Sequence, residues 1–339
     1  MNKIKWCVIG AGGIADRRTI PAIIKDEGSE LVAVMDRVAE VAAAVGEKYG
    51  VPYYTSEEDM LAEVECDAVY IGTPVFCHKE QALSALKYDK HVFIEKPITL
   101  GSDDARALVD AFKAKGKQIT VGYMMKHHNL HEKAREIVKS GGIGRPVSVR
   151  ARFSCWYPDI PGAWRQNPAL GGGGSFMDLG VHAAELIEYV LGDEIKMVKA
   201  ITATNSFNYP VEDSATVIFE TEAGVLGGID ANFNIPDAAS CSRLEIFGEA
   251  GYVICDGTLA QTEGGRMTHL YTPQGDYSAM QERVESKPVE YLGENGNLYE
   301  KQIKIFADIL RSGEPDYFFA DRAVHIQELV DMIYDDAKM

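Results

Sequence analysis

The sequence lacks the features typical of a membrane protein or a cysteine-bound metal site. No apolar run among its 339 residues is long enough to span a bilayer. The short apolar patch after Lys3 and Lys5 breaks into glycines, unlike a secretory signal peptide. Its six cysteines form no C-x-x-C pair and show no metal-site spacing. These absences favour a reduced, cytoplasmic protein.

Positive charge is also scarce. The chain has 34 lysines and arginines against 51 acidic residues, which gives a formal net charge of −17 at pH 7. Nucleic acids and anionic membranes are repelled by such a surface, so neither is expected as the main partner. The same argument favours a neutral ligand over a phosphorylated one, although Arg165 and Lys126 could still bind a phosphate locally.

What remains is an ordinary globular composition, with 46% apolar and 25% charged residues, and a length that favours two domains. From residue 4 to about residue 121, short apolar runs alternate with amphipathic helical patterns, which predicts parallel βαβ units. Strands of alternating polarity dominate after residue 124. We therefore predict an α/β protein with a doubly wound parallel sheet in residues 1–123 and an open, mostly antiparallel sheet in residues 124–339.

Three segments of the second domain are predicted in more detail. A helix over residues 174–191 lies among the strands and is expected to cover their sheet. The polar stretch 256–296 is interpreted as strand edges and loops. Residues 297–337 are predicted to form two amphipathic helices separated by the break SGEPDYFFA.

A glycine-rich run directly follows the first predicted strand. In CVIGAGGIA, Gly10, Gly12 and Ala15 fit the pattern G-x-G-x-x-[GA] at the start of a helix. Gly10 allows a tight turn, Gly12 lets the backbone approach a pyrophosphate, and the helix N-terminus holds the phosphate. The run therefore predicts a dinucleotide site. The other loop residues predicted to contact the dinucleotide are Ala11, Gly13 and Ile14.

An acidic residue ends the second predicted strand. Asp36 lies 21 residues beyond Ala15, where a carboxylate can bind the adenosine ribose hydroxyls and repel the 2′-phosphate of NADP. Arg37 opposes this preference, because a guanidinium can bind that phosphate or stack on adenine. A helix cap is the structural alternative for Asp36. The sequence favours NAD as the cofactor and leaves NADP open.

Two later strands end in YIGTP and HVFIEKP. Ligands of open parallel sheets lie beyond the carboxyl ends of the strands, so the residues there are predicted to line the cofactor groove. Lys96 can also donate a hydrogen bond to a substrate oxygen or relay its proton, although a surface lysine would fit the same pattern. The groove residues are Thr73, Pro74, His78, Glu95, Lys96 and Pro97. For His78 the alternative is a histidine near a helix start that only makes local hydrogen bonds.

A second glycine run leads into the helix predicted over residues 174–191. In GGGGSFMDLGVHAAELIEYVLG, Asp178 and His182 stand four residues apart, so an α-helix places them on one face. Histidine suits proton transfer near neutral pH, and the aspartate can orient the imidazole, stabilise its protonated form or bind a neighbouring hydroxyl. The glycines would let the segment pass close to a cofactor and a substrate. A capping aspartate beside a structural histidine is the alternative.

Together these motifs resemble the glucose-fructose oxidoreductase/inositol dehydrogenase/MocA (Gfo/Idh/MocA) family. The similarity runs along the chain through GAGGIA, GTPVFCHKEQA, EKPITL, GYMMKHH, GAWRQNPALGGGGSFMDLGVH and HIQELVDMIYDDA. It implies a Rossmann domain and an α/β domain, with the last helix, at about residues 322–337, packing back on the first. It also implies oxidation of a secondary alcohol of a sugar or cyclitol, or reduction of the ketone, with NAD or NADP.

The resemblance also implies individual roles. Lys96 matches the family's active-site lysine, and Asp178 and His182 match its aspartate and histidine. Trp164 and Arg165 match a pair that closes over nicotinamide and substrate. Tyr123 matches an aromatic position near the cofactor, and aromatic side chains such as Trp156 can offer flat surfaces to a sugar ring. The predicted substrate-binding set is Lys96, Tyr123, Trp156, Trp164, Arg165, Asp178 and His182.

The chain departs from the family where many members have arginine after the G-Y/F motif. It has Lys126 there, followed by His127 and His128. His127 and His131 stand at i and i+4, but no carboxylate or cysteine completes a ligand set, so no metal is predicted.

Three functions remain open at this stage. The first is a dehydrogenase of a sugar, cyclitol or glycoside with a free cofactor. The second is an enzyme that retains NAD and recycles it, as a sugar-sugar oxidoreductase or a redox-assisted glycosidase. The third is a non-enzymatic sensor of nucleotide or sugar, which would need none of Lys96, Asp178 and His182. The open second sheet also predicts a homo-oligomer, dimer or tetramer.

Overall fold

A computed structural model describes residues 3–273, 275, 279 and 286–338. The chain divides into two compact units. The first comprises Met1–Met124, Ala169–Gly172 and Asn297–Glu328, and the second comprises Met125–Pro168, Gly173–Gly296 and Leu329–Met339. Each unit is built around a β-sheet of its own.

The first unit contains a six-stranded parallel sheet. Its strands are β1 (Ile4–Ile9), β2 (Ser29–Met35), β3 (Tyr53–Tyr54), β4 (Ala68–Ile71), β5 (His91–Glu95) and β6 (Ile119–Gly122). Their order, β3-β2-β1-β4-β5-β6, is that of the doubly wound Rossmann fold. The predicted parallel sheet is therefore confirmed.

Helices connect these strands and cover both faces of the sheet. They are α1 (Ile20–Lys25), α2 (Ala39–Tyr49), α3 (Glu57–Glu63), α4 (Val75–Lys87) and α5 (Ser102–Lys115). A π-helical segment, Ala15–Thr19, precedes α1, so the helix predicted after the glycine loop begins with a wider turn. The short β3 and α3 are not predicted, because two residues give no periodicity and seven give little.

The second unit contains an eight-stranded sheet in the order β14-β13-β12-β11-β7-β10-β9-β8. The strands are β7 (Pro146–Ser154), β8 (Ile195–Ala203), β9 (Ser214–Thr221), β10 (Leu226–Asn232), β11 (Arg243–Gly248), β12 (Gly251–Asp256), β13 (Arg266–Tyr271) and β14 (Val289–Leu292). Only β7 and β10 pair in parallel among these described strands. The predicted mostly antiparallel sheet is confirmed, and the polar stretch 256–296 supplies two of its strands.

The remaining helices are α6 (Asn129–Lys139), α7 (Pro168–Gly171), α8 (Val181–Leu191), α9 (Leu298–Ser312) and α10 (Phe318–Ala337). The helix predicted over residues 174–191 is a π-helical segment, Phe176–Gly180, that continues into α8. α8 packs on β7 and α6 within the second unit. In the first unit the Phe306 ring on α9 packs against Trp6 and Phe93. Within the described residues, no helix is both long and apolar enough to cross a membrane.

Candidate active site

The glycine loop after β1 is fitted closely to its neighbours. Gly10 has φ +78°, and a Cβ there would lie 2.7 Å from Thr73 Cγ2 beyond β4. The Gly10 and Ala11 amides both donate to the carbonyl of Met35, which ties the loop to the end of β2. Only glycine satisfies both the positive φ and the close approach at position 10. The structure thus brings Gly10 and Thr73 together, as the groove prediction requires.

Asp36 joins this loop to the next helix. Its Oδ2 accepts a hydrogen bond from the Gly12 amide (3.2 Å), and its Oδ1 accepts one from the Val38 amide (3.0 Å) just before α2. A Cβ on Gly12 would approach Val41 to 3.0 Å, whereas one on Gly13 would meet nothing within 4 Å. The loop is therefore tight against α2 at Gly12 and open at Gly13, which fits a pyrophosphate.

Two more residues predicted to bind the cofactor, Ile14 and Arg37, lie in the first unit. Ile14 ends the glycine loop and precedes the π-helical segment Ala15–Thr19. Arg37 lies near Cys77 at the start of α4. Burial raises the pKa of the Cys77 thiol, and the positive charge of Arg37 partly offsets the rise. A guanidinium near the adenosine side of the fold keeps both NAD and NADP open.

His78 connects the loops that follow β4 and β5. Its ring is only 1% exposed, and its nitrogens lie 2.9 Å from the carbonyl oxygens of Thr73 and Pro97. Burial lowers the pKa of His78 to about 4, against the effect of these carbonyls, and the charge of Lys96 lowers it further. The ring is therefore neutral and holds the loop on which Lys96 stands.

The other predicted residues of the first unit surround the same strand ends. Lys96 is half-buried directly after β5, and Pro74 directly precedes α4. Glu95 is buried and accepts a hydrogen bond from the Tyr70 hydroxyl (2.7 Å). Tyr123 follows β6 and is 2% exposed. The first unit thus gathers the glycine loop and the predicted groove residues at the carboxyl edge of one sheet.

A second group of predicted residues lies in the second unit. Arg165 Nε donates to Asp178 Oδ1 (3.2 Å), and the guanidinium lies 4.2 Å from the centroid of the Trp164 ring. Partial burial by itself lowers the pKa of Arg165, but Asp178 and Tyr157 raise it, and the rise prevails. Trp164, Arg165 and Asp178 therefore form one contiguous cluster.

Tyr157 belongs to this charged cluster, although the sequence predicts no charged contact for it. Burial raises the pKa of its phenol, Arg165 lowers it, and Asp178 raises it again. Tyr157 follows β7 in a loop whose local sequence gives no sign of a partner beyond its aromatic neighbour. Trp156 is 46% exposed and packs its ring 5.2 Å from that of Phe207.

His182 stands in the first turn of α8 and is 6% exposed. Its ring meets the edge of Phe153 on β7, at 6.3 Å between centroids. Asp178 lies in the preceding π-helical segment, so a regular α-helical turn does not relate the two residues. Both residues lie on one continuous helical segment, and part of the turn between them is π-helical and so wider than the α-turn that the i, i+4 spacing assumes.

Lys126, which stands where many family members have arginine, pairs with a carboxylate on the same helix as His182. Its Nζ lies 2.7 Å from Glu185 Oε1, and both side chains are almost fully buried. Glu185 is three residues beyond His182 on α8, so the ion pair lies one turn away. The sequence does not predict this pair, because its members are 59 residues apart.

His131 is occupied by hydrogen bonds rather than by a ligand set. Its Nδ1 lies 2.7 Å from the Met125 carbonyl, and its Nε2 lies 2.8 Å from the Thr258 hydroxyl. The described part of the chain holds no group of three or more histidine, cysteine or acidic residues placed to bind a metal.

Comparison with known proteins matches both units to one family. Residues 4–123 match the oxidoreductase family with an NAD-binding Rossmann fold, and residues 131–254 match the GFO/IDH/MocA C-terminal domain. The 1,5-anhydro-D-fructose reductase of Ensifer adhaerens is 28% identical over 92% of this chain and 90% of its own. The D-xylose 1-dehydrogenase (NADP(+)) 2 of Haloferax volcanii is 28% identical over 98% of this chain and 96% of its own.

A solved structure shares the whole fold. The aldose-aldose oxidoreductase of Caulobacter crescentus, crystallised with glycerol, superposes with a TM-score of 0.87 at 24% identity, covering 99% of this chain and 98% of that one. The two family matches together cover the whole parallel sheet and, in the second sheet, β7 to β11 with most of β12. The chain belongs to the Gfo/Idh/MocA family of oxidoreductases.

Proposed function

We propose that the protein transfers a hydride between a nicotinamide cofactor and a secondary alcohol or ketone of a sugar, cyclitol or glycoside. The observation that carries the proposal is the gathering of the Gly10 loop, Asp36 and Lys96 at the carboxyl edge of one parallel sheet. The relatives named as an anhydrofructose reductase and a xylose dehydrogenase support a sugar substrate. The net charge of −17 favours a neutral one.

The open side of the glycine loop is the place for the dinucleotide's pyrophosphate. Asp36 would hold the adenosine ribose and disfavour a 2′-phosphate, so NAD is the preferred cofactor. The cofactor supplies the hydride acceptor in oxidation and the donor in reduction. The residues proposed to line its nicotinamide half are Thr73, Pro74, His78, Glu95, Lys96, Pro97, Tyr123, Trp164 and Arg165.

The chain's own side chains supply the proton chemistry. His182 takes the proton of the reacting hydroxyl in oxidation and returns it in reduction, because a neutral imidazole nitrogen accepts a proton readily near neutral pH. Lys96 donates a hydrogen bond to the same oxygen and stabilises the negative charge that develops there. Since Asp178 is already paired with Arg165, the two together are suited to bind a neighbouring sugar hydroxyl, and Trp164 and Trp156 offer flat faces to the ring.

The proposal is tested by measuring the rate at which reduced nicotinamide forms. NAD and NADP are used separately, with neutral sugars, cyclitols and glycosides as substrates. Lys96→Ala is expected to lower kcat by about 10²- to 10⁴-fold. Lys139→Ala, at an exposed lysine on α6, should leave the rate unchanged. Equal rates in wild type and Lys96→Ala would contradict the assignment. No net turnover with nucleotide bound to the purified protein would instead support internal recycling or sensing.

We further propose a homo-oligomer. Ile201, Ile218 and Leu226 are 76%, 54% and 61% exposed on three adjacent strands. Strand register places them on one face, since Ile218 lies opposite Lys199 and Gly228, one diagonal step from the other two. An apolar patch of this kind on an open sheet fits a second copy of the chain.

We also propose a cytoplasmic location. The support is the cysteine pattern, since the six cysteines form no C-x-x-C pair and show no metal-site spacing, and free thiols persist in a reducing compartment. Titration of the thiols of the denatured protein, prepared without reductant, should give six free thiols per chain. A lower number would point to an oxidising compartment.

A further inference from the structure

A single residue that is distant in the sequence, Glu212, binds the backbone amides at the start of the helical segment that carries Asp178. Glu212 Oε2 accepts a hydrogen bond from the Gly174 amide (2.8 Å), and Glu212 Oε1 accepts one from the Phe176 amide (2.9 Å). Between them, the Ser175 amide donates to the backbone carbonyl of Glu212 (3.0 Å). Glu212 stands two residues before β9 and lies 38 residues beyond Gly174. It therefore satisfies three consecutive amides at the start of the segment.

Tyr334 on α10 completes this arrangement. Its hydroxyl accepts a hydrogen bond from the Met177 amide (3.2 Å) and donates one to Glu212 Oε1 (2.8 Å). The next amide, that of Asp178, donates to the carbonyl of Gly174 (3.1 Å) and so begins the helical pattern. The first amides of a helix have no partner inside it and must find one elsewhere. Here two side chains and one carbonyl supply all of them.

The glycine run is explained by the same two residues. A Cβ on Gly173 would lie 2.0 Å from the Tyr334 hydroxyl oxygen, and a Cβ on Gly174 would lie 1.9 Å from the Glu212 carbonyl oxygen. No side chain larger than hydrogen fits at either distance. The sequence predicts that these glycines approach a cofactor and a substrate, but their close contacts in the structure are with Glu212 and Tyr334.

Burial and hydrogen bonding act in opposite directions on the ionisation of Glu212, and the effect of burial prevails. The residue is 8% exposed, and burial raises the pKa of its carboxyl above the usual range, while the Phe176 amide and the Tyr334 hydroxyl oppose the rise. The aligned amides at a helix N-terminus stabilise a carboxylate, and the hydrogen bonds to that carboxylate in turn fix the orientation of the amides. The network is thus a rigid anchor for the turn that carries Asp178, one turn before His182.

We propose that Glu212 and Tyr334 are positioning residues that hold Asp178 and His182 in their reactive orientation. This inference rests on the proposed function, which assigns the proton transfer to His182. Glu212 and Tyr334 act through the backbone of residues 174–177, and neither needs to contact substrate. Because the glycine loop and Asp36 belong to the first unit, loss of the anchor should impair the chemical step without weakening cofactor binding.

The test compares Glu212→Gln and Tyr334→Phe with two matched controls. In Glu212→Gln an amide NH₂ must face a backbone N–H, so we expect kcat to fall by about 10- to 100-fold with the KM for NAD unchanged. Tyr334→Phe should lower kcat by less, about 3- to 10-fold, and it serves as the second variant if Glu212→Gln does not fold. Rates are expressed per folded protein, with folding checked by circular dichroism.

The controls remove similar interactions elsewhere in the same unit. Glu188→Gln changes a buried carboxylate on α8 that accepts from the Ile195 amide (2.9 Å), and Asp336→Asn changes an α10 carboxylate that accepts from the Ala200 amide (2.8 Å). Both should keep the wild-type kcat, even at lower stability. Hydrogen exchange gives a readout independent of activity, because residues 173–178 should exchange faster in Glu212→Gln but not in either control.

The outcomes separate the two proposals. Wild-type kcat in both Glu212→Gln and Tyr334→Phe would overturn the positioning role and leave the proposed function standing. The same result follows if the controls lose kcat to the same extent, or if the KM for NAD rises together with the loss of kcat. A wild-type protein that oxidises or reduces no sugar would overturn the proposed function, and the positioning role with it.

Discussion

At the scale of single residues, Asp36 is the best-placed determinant of cofactor choice. Its carboxylate is held by the Gly12 and Val38 amides, at the point where the second ribose hydroxyl of the adenosine is expected. Asp36→Asn removes the charge that would repel a 2′-phosphate. We expect the ratio of kcat/KM for NADP to that for NAD to rise about tenfold or more, in line with the loss of a repulsion between close charges.

Arg37→Ala is the matched variant for this prediction. It should move the same ratio the other way, because it removes the only cation adjacent to Asp36 in the sequence. Initial rates with both nucleotides at one sugar concentration provide the measurement. An unchanged ratio in Asp36→Asn would show that another group selects the cofactor.

The buried His131 makes the free energy of unfolding of the protein depend on pH. Burial, with a contribution from His128, lowers the pKa of His131 to about 3 from an ordinary value of 6.5. The Met125 carbonyl can only accept, so Nδ1 carries the proton and the neutral ring is fully hydrogen-bonded. At a pH between those two values, His131 is protonated in the unfolded chain but neutral in the folded protein. The stabilisation is therefore present above pH 6.5 and is lost as the pH falls toward 3.

The expected loss from this one residue is on the order of 2 kcal/mol between pH 7 and pH 5. His131→Gln keeps a donor for Met125 and an acceptor for Thr258 but cannot titrate. Urea unfolding at the two pH values should therefore show a smaller acid-induced loss in the variant than in the wild type. Equal losses would mean that His131 is already protonated in the folded protein.

The site residues that the sequence predicts are those with local motifs. Gly10, Asp36 and Lys96 stand at fixed offsets from strand ends, so a pattern can find them. Tyr157 and Glu212 act through partners that only the folded chain brings near. Glu212, for example, lies 122 residues from Tyr334. No spacing rule connects such residues, and their local sequence is that of ordinary loop and strand ends.

At the scale of elements, both glycine runs lead into π-helical segments, Ala15–Thr19 and Phe176–Gly180. Sequence periodicity predicts helix at both places but assumes 3.6 residues per turn, so it misses the wider turn. The buried strands β1, β4 and β5 are predicted because their apolar runs are continuous. β13 and β14 are not singled out, because their side chains are partly exposed and their sequences resemble polar loops.

The glycine run before the second π-helical segment gives a prediction at this scale. Gly174→Ala places a methyl group 1.9 Å from the Glu212 carbonyl oxygen, and a backbone atom cannot move aside as a flexible side chain would. We expect a loss of at least about 3 kcal/mol in the free energy of unfolding, or failure to fold. Thermal and urea unfolding provide the measurement.

Gly101→Ala is the control for Gly174→Ala. A Cβ at Gly101 would meet nothing within 4 Å, and its φ of −149° suits any residue. Its unfolding free energy should stay within about 0.5 kcal/mol of the wild type. A Gly174→Ala protein as stable as Gly101→Ala would show that the segment can move away from Glu212, and it would weaken the case for a rigid anchor.

At the scale of the whole molecule, the sequence predicts two sheets of different kinds, and the structure contains both. The parallel sheet needs helices on both faces, which its βαβ connections provide. The antiparallel sheet has α8 packed on β7 and leaves apolar side chains exposed on β8, β9 and β10. A family resemblance adds the activity and several site residues, which composition and periodicity alone do not give.

We expect the exposed apolar face of the second sheet to bind a second copy of the chain. Burying side chains such as Ile218 against a second copy would contribute about 2 kcal/mol each, so a lysine at that position should weaken or abolish assembly. Sedimentation velocity should show the wild type as a dimer or tetramer and Ile218→Lys as a smaller species. Ile24→Lys is the control, because Ile24 on α1 is 53% exposed, almost the same as Ile218, but lies in the first unit. A monomeric wild type would refute the oligomer, and equal dissociation of both variants would place the interface elsewhere.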